Sequence, residues 1–273
     1  MGEKLVIGSI MHVLEVRSLG KIYGSDEKGI SDVEALREIS LTVDKGEFIS
    51  IIGPSGCGKS TLFGIIGGLD ESTSGDVFIK GEKVRGAHPS IGMVFQEDSA
   101  FPWLTSLENV EFGLKMAGIQ KKERRARARE MIELVGLSEF ENHYPSELSG
   151  GMRQRVAIGR TLVMNPEIIL MDEPFGALDE QTRVMLGEEL LRICEKIRAT
   201  ILFITHSISE SVMLSDRIFV MSGRPGTLKM AVDVDIPRPR NASTIATQRF
   251  CQLTDIIWKD LKEETTRAMR KKG

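Results

Sequence analysis

No apolar run in this 273-residue chain approaches the roughly 18 to 20 residues that a membrane-spanning helix needs. The N-terminal residues also lack a basic segment followed by an apolar signal core. The chain is therefore expected to stay in the cytoplasm, free or docked on another component. Cysteine is scarce: Cys57, Cys194 and Cys251 are widely separated and have no metal-ligand spacing, which fits a reducing compartment. Neither sign of charge dominates. With 36 Lys and Arg against 39 Asp and Glu the net charge is −3, and both signs are interspersed, so nothing in the balance calls for nucleic acid. No internal repeat is evident. What the chain does have is 41% hydrophobic residues, enough to bury a core, and the simplest organisation is one elaborated α/β domain.

The most informative segment is Gly53-Pro54-Ser55-Gly56-Cys57-Gly58-Lys59-Ser60, followed by Thr61, between the apolar runs Phe48 to Ile52 and Leu62 to Ile66. This is a phosphate-binding loop in a strand–loop–helix context. The glycines let the backbone wrap so that successive N–H groups point at phosphate oxygens, and the following helix adds its positive end. Lys59 is the candidate cation for the β- and γ-phosphates, and the Ser60 hydroxyl the candidate Mg²⁺ ligand. Cys57 is read as a small tolerated side chain, its redox sensitivity left open.

Before this loop, His12 to Arg17 and Ile39 to Val43 have strand spacing, with Gly20, Gly24 and Gly29 as turn residues between them. They predict a small β layer over the nucleotide core. After it, Ser74-Gly75-Asp76 is expected to turn into a short strand at Val77 to Ile79, with another at Ile91 to Phe95. From 97 to about 147 the apolar residues recur at helical spacing, which predicts an inserted helical subdomain. Its charged run Lys121 to Glu130 is read as a solvated helix face. A helix from Gln154, a strand at Ile168 to Met171, a helix from Thr182 to Ile197 and a strand at Ile201 to Ile204 then alternate. That order argues for a largely parallel sheet covered on both faces. Short strands between 222 and 240 are expected to lead into a final helix around 244 to 264. Its stripe Phe250, Leu253, Ile257 and Leu261 is read as packing on its own domain rather than on a membrane.

The strand Ile168 to Met171 runs into Asp172 and Glu173, and buried strands present their C-terminal ends to the ligand crevice of α/β sheets. Asp172 is placed to act on Mg²⁺, and Glu173 is the candidate base that polarises the attacking water. A second glycine-rich loop, Leu148-Ser149-Gly150-Gly151-Met152, opens another helix and makes another anion site. A single nucleotide needs only one phosphate cradle, yet the chain has two such loops.

Here the sequence resembles the ATP-binding-cassette family, whose signature loop reads LSGGQ where this chain has LSGGM. The resemblance covers about residues 12 to 235, assigned to one ATPase domain with 97–147 inserted and 236–273 as a C-terminal helical tail. It implies a P-loop NTPase (RecA-like) core with a mainly parallel sheet, an antiparallel β subdomain and the helical insertion. In that family two cassettes face head to tail, so Ser149, Gly150 and Gly151 of one copy would close over ATP held by the other. The resemblance further implies that Tyr23 stacks on adenine, that Gln96 senses Mg²⁺ and the lytic water, that Asp179 crosses the dimer interface, and that His206 contacts the γ-phosphate.

A cassette without a membrane span of its own implies a separate importer ATPase. The expected assembly is a homodimer beneath two permease subunits, peripheral on the cytoplasmic face of the inner membrane, with a solute-binding protein as an indirect partner and no nucleic acid. Phe101-Pro102-Trp103-Leu104 lies where a permease helix would seat, and serves either that socket or local packing. FPWLTSLENV, DEPFGALDEQTR, SGRPGTL and DIPRPR resemble the nitrate, sulfonate, taurine and bicarbonate importer group. Sulfonate or taurine is the first expectation, then nitrate, bicarbonate or a pyrimidine precursor. A soluble cassette acting on DNA or ribosomes would call for tandem cassettes or a long coiled-coil insertion, and neither is present. A nucleotide-binding module without turnover would require a damaged site, whereas Glu173, His206 and Gln96 are all in place.

Overall fold

The computed structural model describes residues 12–24, 32–96, 99–176 and 178–270, with side chains as far as Glu264 in the last stretch. Gly29, the first two residues of the 97–147 segment, Ala177 and the side chains of the basic end Arg267 to Lys272 lie outside the described residues.

In chain order, β1 (Leu14–Tyr23) and β2 (Val33–Val43) precede β3 (Phe48–Ile52) and helix α1 (Lys59–Ile66), which flank the phosphate loop. Strands β4 (Ser74–Ile79), β5 (Glu82–Lys83) and β6 (Ile91–Val94) come next, then helices α2 (Ser106–Met116), α3 (Lys121–Leu134) and α4 (Gly150–Leu162). The chain continues through β7 (Ile168–Asp172), α5 (Glu180–Ile197), β8 (Thr200–Ile204), α6 (Ile208–Leu214), β9 (Arg217–Met221), β10 (Leu228–Asp233) and α7 (Gln248–Arg270).

Two sheets form. One has the order β10-β9-β3-β8-β7-β6 and is parallel except for β10; the other, β2-β1-β4-β5, is antiparallel. The central strands are buried on both faces, and alternation sends their side chains into two cores. Phe48, Ile52, Ile169, Met171, Ile201 and Phe203 join the core beneath α4 to α7. Ile49, Ile51, Ile168, Leu170, Leu202 and Ile204 face α1 and the antiparallel sheet. Near-continuous apolar strands are what a sheet covered on both sides demands, so the α/β expectation and the antiparallel layer are both realised.

Two expected turns are strand interior instead. Gly20 lies within β1 and pairs with Ser74 of β4, next to a register shift after Arg17. A Cβ on Gly20 would meet the Ser74 Oγ at 2.5 Å, and one on Gly75 would come within 2.3 Å of the Ser18 carbonyl oxygen. Close approach of two backbones at a bulge, rather than chain reversal, requires these glycines. Helix α6 and strand β9 have no counterpart in the sequence reading, because seven and five residues are too few to show a clear period.

Within 106–134, Thr105 caps α2 in a reciprocal box with Glu108. Val110 and Leu114 of α2 meet Ala128 and Ile132 of α3 in the same core as the parallel sheet. In the charged run, Arg124 and Arg125 pair with the buried Glu111 at 3.4 and 3.6 Å, while Lys121, Lys122 and Glu130 stay exposed. On α7, Phe250, Leu253 and Ile257 are buried and Leu261 packs against them, so the stripe serves the chain's own core.

Candidate active site

Strand β3 is buried along its whole length and delivers the chain to Gly53 at its C-terminal edge. Gly58 has φ +102°, and a Cβ there would lie 2.7 Å from Leu36 Cδ2 and 2.9 Å from the Ala35 carbonyl oxygen. Only glycine fits, so the phosphate loop can pack against β2. Helix α1 starts after Gly58 without a side-chain cap, which leaves its first N–H groups for a ligand. The Lys59 ammonium is buried and donates to the carbonyls of Gly53 at 2.9 Å and Pro54 at 3.2 Å. Cys57 is buried in the loop, and burial pushes its thiol up despite the neighbouring Lys59 charge, which is the opposite of an activated thiolate.

An open cleft of about 260 Å³ lies over the loop, lined by Tyr23, Ser55, Gly56, Gly58, Lys59, Ser60, Thr61, Glu173 and His206. Tyr23 ends β1 half exposed, its hydroxyl donating to Asp70 at 2.8 Å. Asp70 also takes the Lys21 ammonium at 2.7 Å, and Lys21 lies 4.7 Å from the Tyr23 ring centroid. The Lys21 ammonium thus sits over the ring of a tyrosine that lines the cleft.

Strand β7 carries the two acids to the same edge. Glu173 leaves the strand at φ +46°, a left-handed backbone that costs a non-glycine residue on the order of 1 kcal/mol. Its N–H donates to the Ile204 carbonyl, and its own carbonyl accepts from Gly176 N–H, both at 3.0 Å. The turned carboxylate meets His206 Nε2 at 2.5 Å and accepts from Gln96 Nε2 at 3.4 Å. Residues 96, 173 and 206, far apart in sequence, therefore share one carboxylate.

Asp172 is held by burial above the ordinary carboxylate range, opposed by the Ser60 hydroxyl and the charges of Lys59 and His206. Its Oδ1 is buried without a hydrogen-bond partner. An unpartnered carboxylate oxygen next to a serine hydroxyl fits a hard divalent cation. Among the described residues no three His, Cys, Asp or Glu side chains gather closely enough to hold a metal alone. That suits Mg²⁺, which takes one or two protein oxygens and completes its shell with phosphates and water.

The other predicted residues are elsewhere. Ser149 caps α4, accepting from Met152 N–H at 3.3 Å, and neither it nor Gly150 and Gly151 lines the cleft. A Cβ on Gly150 would touch Leu178 at 3.5 Å, so this loop packs on the segment that leads into α5. Asp179 caps α5, accepting from the Thr182 N–H at 3.0 Å and hydroxyl at 2.7 Å. These two donors hold its carboxyl below the usual range. Phe101 packs against Phe112 and Trp103, with ring centroids 4.7 and 5.4 Å away, while Trp103 is 69% exposed.

Sequence reasoning passed over several positions. Val33 and Ala35 of β2 and Arg224 beyond β9 also line the cleft. The one signal for Arg224 was its setting between glycine and proline in SGRPG. Thr205 donates to Glu210 at 2.5 Å, and Glu210 pairs with Arg183 at 3.1 Å. Arg183 in turn donates to the Leu178 carbonyl at 3.0 Å. The segment before Asp179 is thereby tied to the residue preceding His206.

Residues 36–176 match the family model described as ABC transporter. An uncharacterized ABC transporter ATP-binding protein of Methanocaldococcus jannaschii is 48% identical over 257 residues, covering 94% of each chain. The nitrate import ATP-binding protein of Synechocystis is 45% identical, covering 83% of this chain and 84% of that one. An aliphatic sulfonates import ATP-binding protein of Bacillus cereus is 42% identical, covering 85% and 92%. Among solved structures, a dimeric ATP-binding cassette in a post-hydrolysis state with ADP and Pi superposes with TM-score 0.71 at 36% identity, covering 82% of this chain and all of that one. The Clostridium perfringens cbiO1 protein, part of the cbiONQ ABC transporter complex, gives TM-score 0.74 at 25% identity, covering 90% and 95%.

Proposed function

The chain belongs to the ABC transporter family and is an ATP-binding ATPase, and on that premise we propose that it powers an importer as a homodimer beneath two permease subunits. The observation that carries this reading is the split between its two glycine-rich loops. One lines the cleft with Lys59, Glu173 and His206; the other, at Ser149 to Gly151, lies outside it. A second copy would bring its Ser149 loop to the open side of the cleft and enclose ATP between the two chains. The relatives named for nitrate and sulfonate import support an importer role.

In this reading Tyr23 stacks on the adenine, the loop N–H groups from Ser55 to Thr61 and Lys59 hold the phosphates, and Glu173 takes the proton of the attacking water. His206 and Gln96 hold the Glu173 carboxylate and the water in line, a positioning task worth several orders of magnitude in rate. Ser60, Asp172 and Gln96 are the residues to hold Mg²⁺, which would neutralise charge on the phosphates. ATP closes the dimer and hydrolysis reopens it, so motion is passed to the permeases. Trp103 and the segment after Gln96 would receive a permease helix. No helix among the described residues is long and apolar enough to cross a membrane; the proposed location is peripheral, on the cytoplasmic face of the inner membrane, with a solute-binding protein delivering cargo from outside. The favoured cargo is a sulfonate of the taurine type, ahead of nitrate, bicarbonate or a pyrimidine precursor.

The test is to tag the chain in its native host, capture it from detergent-solubilised membranes and identify its companions. A stoichiometric polytopic protein is expected, and its companion binding protein should bind sulfonates more tightly than nitrate by calorimetry. Recovery only from the soluble fraction, with ribosomal or DNA-bound partners, would overturn the importer reading.

A further inference from the structure

Beyond β9 the chain folds into a tight loop. Ser222 and Thr227 close it, with Ser222 N–H donating to the Thr227 carbonyl at 3.0 Å and Thr227 N–H to the Ser222 hydroxyl at 2.9 Å. The loop is stitched to β2: Gly226 N–H donates to the Ala35 carbonyl, and Arg37 N–H to the Gly226 carbonyl, both at 2.9 Å. It also lies against the phosphate loop, since a Cβ on Gly226 would fall 2.1 Å from the Cys57 carbonyl oxygen. From this position Arg224 reaches the lip of the cleft, its Nε and one terminal nitrogen both 3.3 Å from the Gly56 carbonyl oxygen.

A guanidinium has five N–H donors, so the contact with one carbonyl leaves donors for a ligand. Of the described residues lining the cleft, Lys59 and Arg224 alone carry a permanent positive charge. A triphosphate brings several negative charges, and a planar donor fork is well matched to phosphate oxygens.

The loop has a second mooring, on the C-terminal helix. Glu264 of α7 is 6% exposed; its Oε2 accepts from Gly223 N–H at 2.9 Å, and its Oε1 pairs with the Lys229 ammonium at 3.0 Å. Lys229 also meets Asp260, one turn earlier on α7, at 2.9 Å. A buried carboxylate is tolerated when it is paired and hydrogen-bonded. Here one of its bonds falls on the residue immediately before Arg224. The helix that carries Glu264 is itself fixed in the core through Phe250, Leu253 and Ile257.

We infer that Arg224 is a second phosphate-binding cation of the nucleotide site and that Glu264, from the C-terminal helix, is the residue that positions its loop. The inference rests on reading the cleft as the ATP site. It ties the segment after residue 235 to nucleotide affinity, a link that neither the phosphate loop nor the signature loop requires.

The experiment titrates the purified full chain with a fluorescent ATP analogue and Mg²⁺, with melting curves as the check on folding. Arg224→Ala is expected to weaken binding about tenfold, and Arg224→Lys, which restores the charge but not the planar fork, to recover only part of it at low salt. Wild-type affinity should fall more steeply with added NaCl than that of Arg224→Ala. Glu264→Ala is expected to weaken binding about three- to fivefold, and the Arg224→Ala/Glu264→Ala pair to bind no more weakly than Arg224→Ala alone. Glu264→Gln retains an acceptor for Gly223 N–H and should bind close to wild type; if Glu264→Ala melts early, Glu264→Leu, which fills the same space without an acceptor, takes its place with the same loss expected. Lys59→Ala separates the two readings. If it loses ATP while Arg224→Ala binds like wild type, the Arg224 proposal falls and the ATP site stands. If Lys59→Ala also binds like wild type, the site itself falls. Independent, additive losses in the double variant would overturn the positioning role of Glu264.

Discussion

The chain opens two helices with glycine-rich loops, and the two differ in how much of their hydrogen bonding they satisfy alone. At the phosphate loop, Gly58 precedes α1 in a left-handed conformation with no side-chain cap, and the buried Lys59 ammonium rests on carbonyls of its own loop. Glu173 at the end of β7 and a histidine beyond β8 line the same cleft, while a glutamine beyond β6 donates to Glu173 and Asp172 meets the Ser60 hydroxyl. At the Ser149 loop the serine side chain caps α4 itself, and the loop packs on the segment before Asp179 rather than lining that cleft. The first loop lies in a cleft to which several elements of one chain contribute; the second lies outside it, and in the proposed dimer it would meet the nucleotide held by the other copy. The same helix-terminus physics thus serves an open phosphate loop in one place and a side-chain-capped helix start in the other.

The largest expected effect sharpens this contrast. Glu173→Gln keeps the size of the side chain but removes the base, so turnover should fall roughly a thousandfold while ATP is retained, and sizing with ATP should show a dimer. A variant that stays monomeric with ATP and still hydrolyses it would break the assignment. Ser149→Arg changes the second loop alone. ATP binding by the isolated chain should stay within about twofold, while hydrolysis falls about a hundredfold because the added bulk and charge oppose closure. Equal loss of binding and turnover would show that this loop belongs to its own chain's site, and the distinction between the two loops would disappear.

A smaller effect concerns the cost of keeping the first site ready. Burial raises the Asp172 carboxyl above its ordinary value, so at this group the folded chain binds protons more readily than the unfolded chain. Its contribution to stability is full below the unfolded value of about 4 and is lost as pH rises through the raised folded value. Asp172→Asn should remove that slope. Denaturant unfolding without nucleotide between pH 4 and pH 7 should show the variant losing less stability than wild type as pH rises. Equal slopes would mean that the carboxylate is better solvated than its unpartnered Oδ1 indicates.

Much of the architecture was legible in the residues because it rests on local rules. Four apolar residues among the five before Gly53, a proline at 166 that stops a helix, and helix–strand alternation from 154 to 204 lead directly to a parallel sheet. Gly20 and Gly75 misled the reading, since a glycine needed for close backbone approach looks the same in sequence as one needed for a turn. Helix α6 and strand β9 were passed over because they are short. The site divides in the same way. Gly53 to Thr61, Asp172 and Glu173 stand out in contiguous motifs, whereas Val33, Ala35, Arg183 and Glu210 have no local signal of their role and Arg224 has only its setting in SGRPG. They matter only through what the sheets bring next to them.

By itself, then, the sequence determined that the chain is an α/β protein with a phosphate loop, an acidic strand end and a second glycine-rich loop. Each of these is written in consecutive residues and follows from backbone freedom, burial period and charge. Only the tertiary structure decided that Glu173 meets both His206 and Gln96, that Asp172 keeps an unpartnered oxygen beside Ser60, and that Glu264 of the last helix reaches the loop carrying Arg224. Those contacts join residues 33, 77 and 41 positions apart. Their geometry is set by strand order and core packing, which no local pattern in the chain encodes.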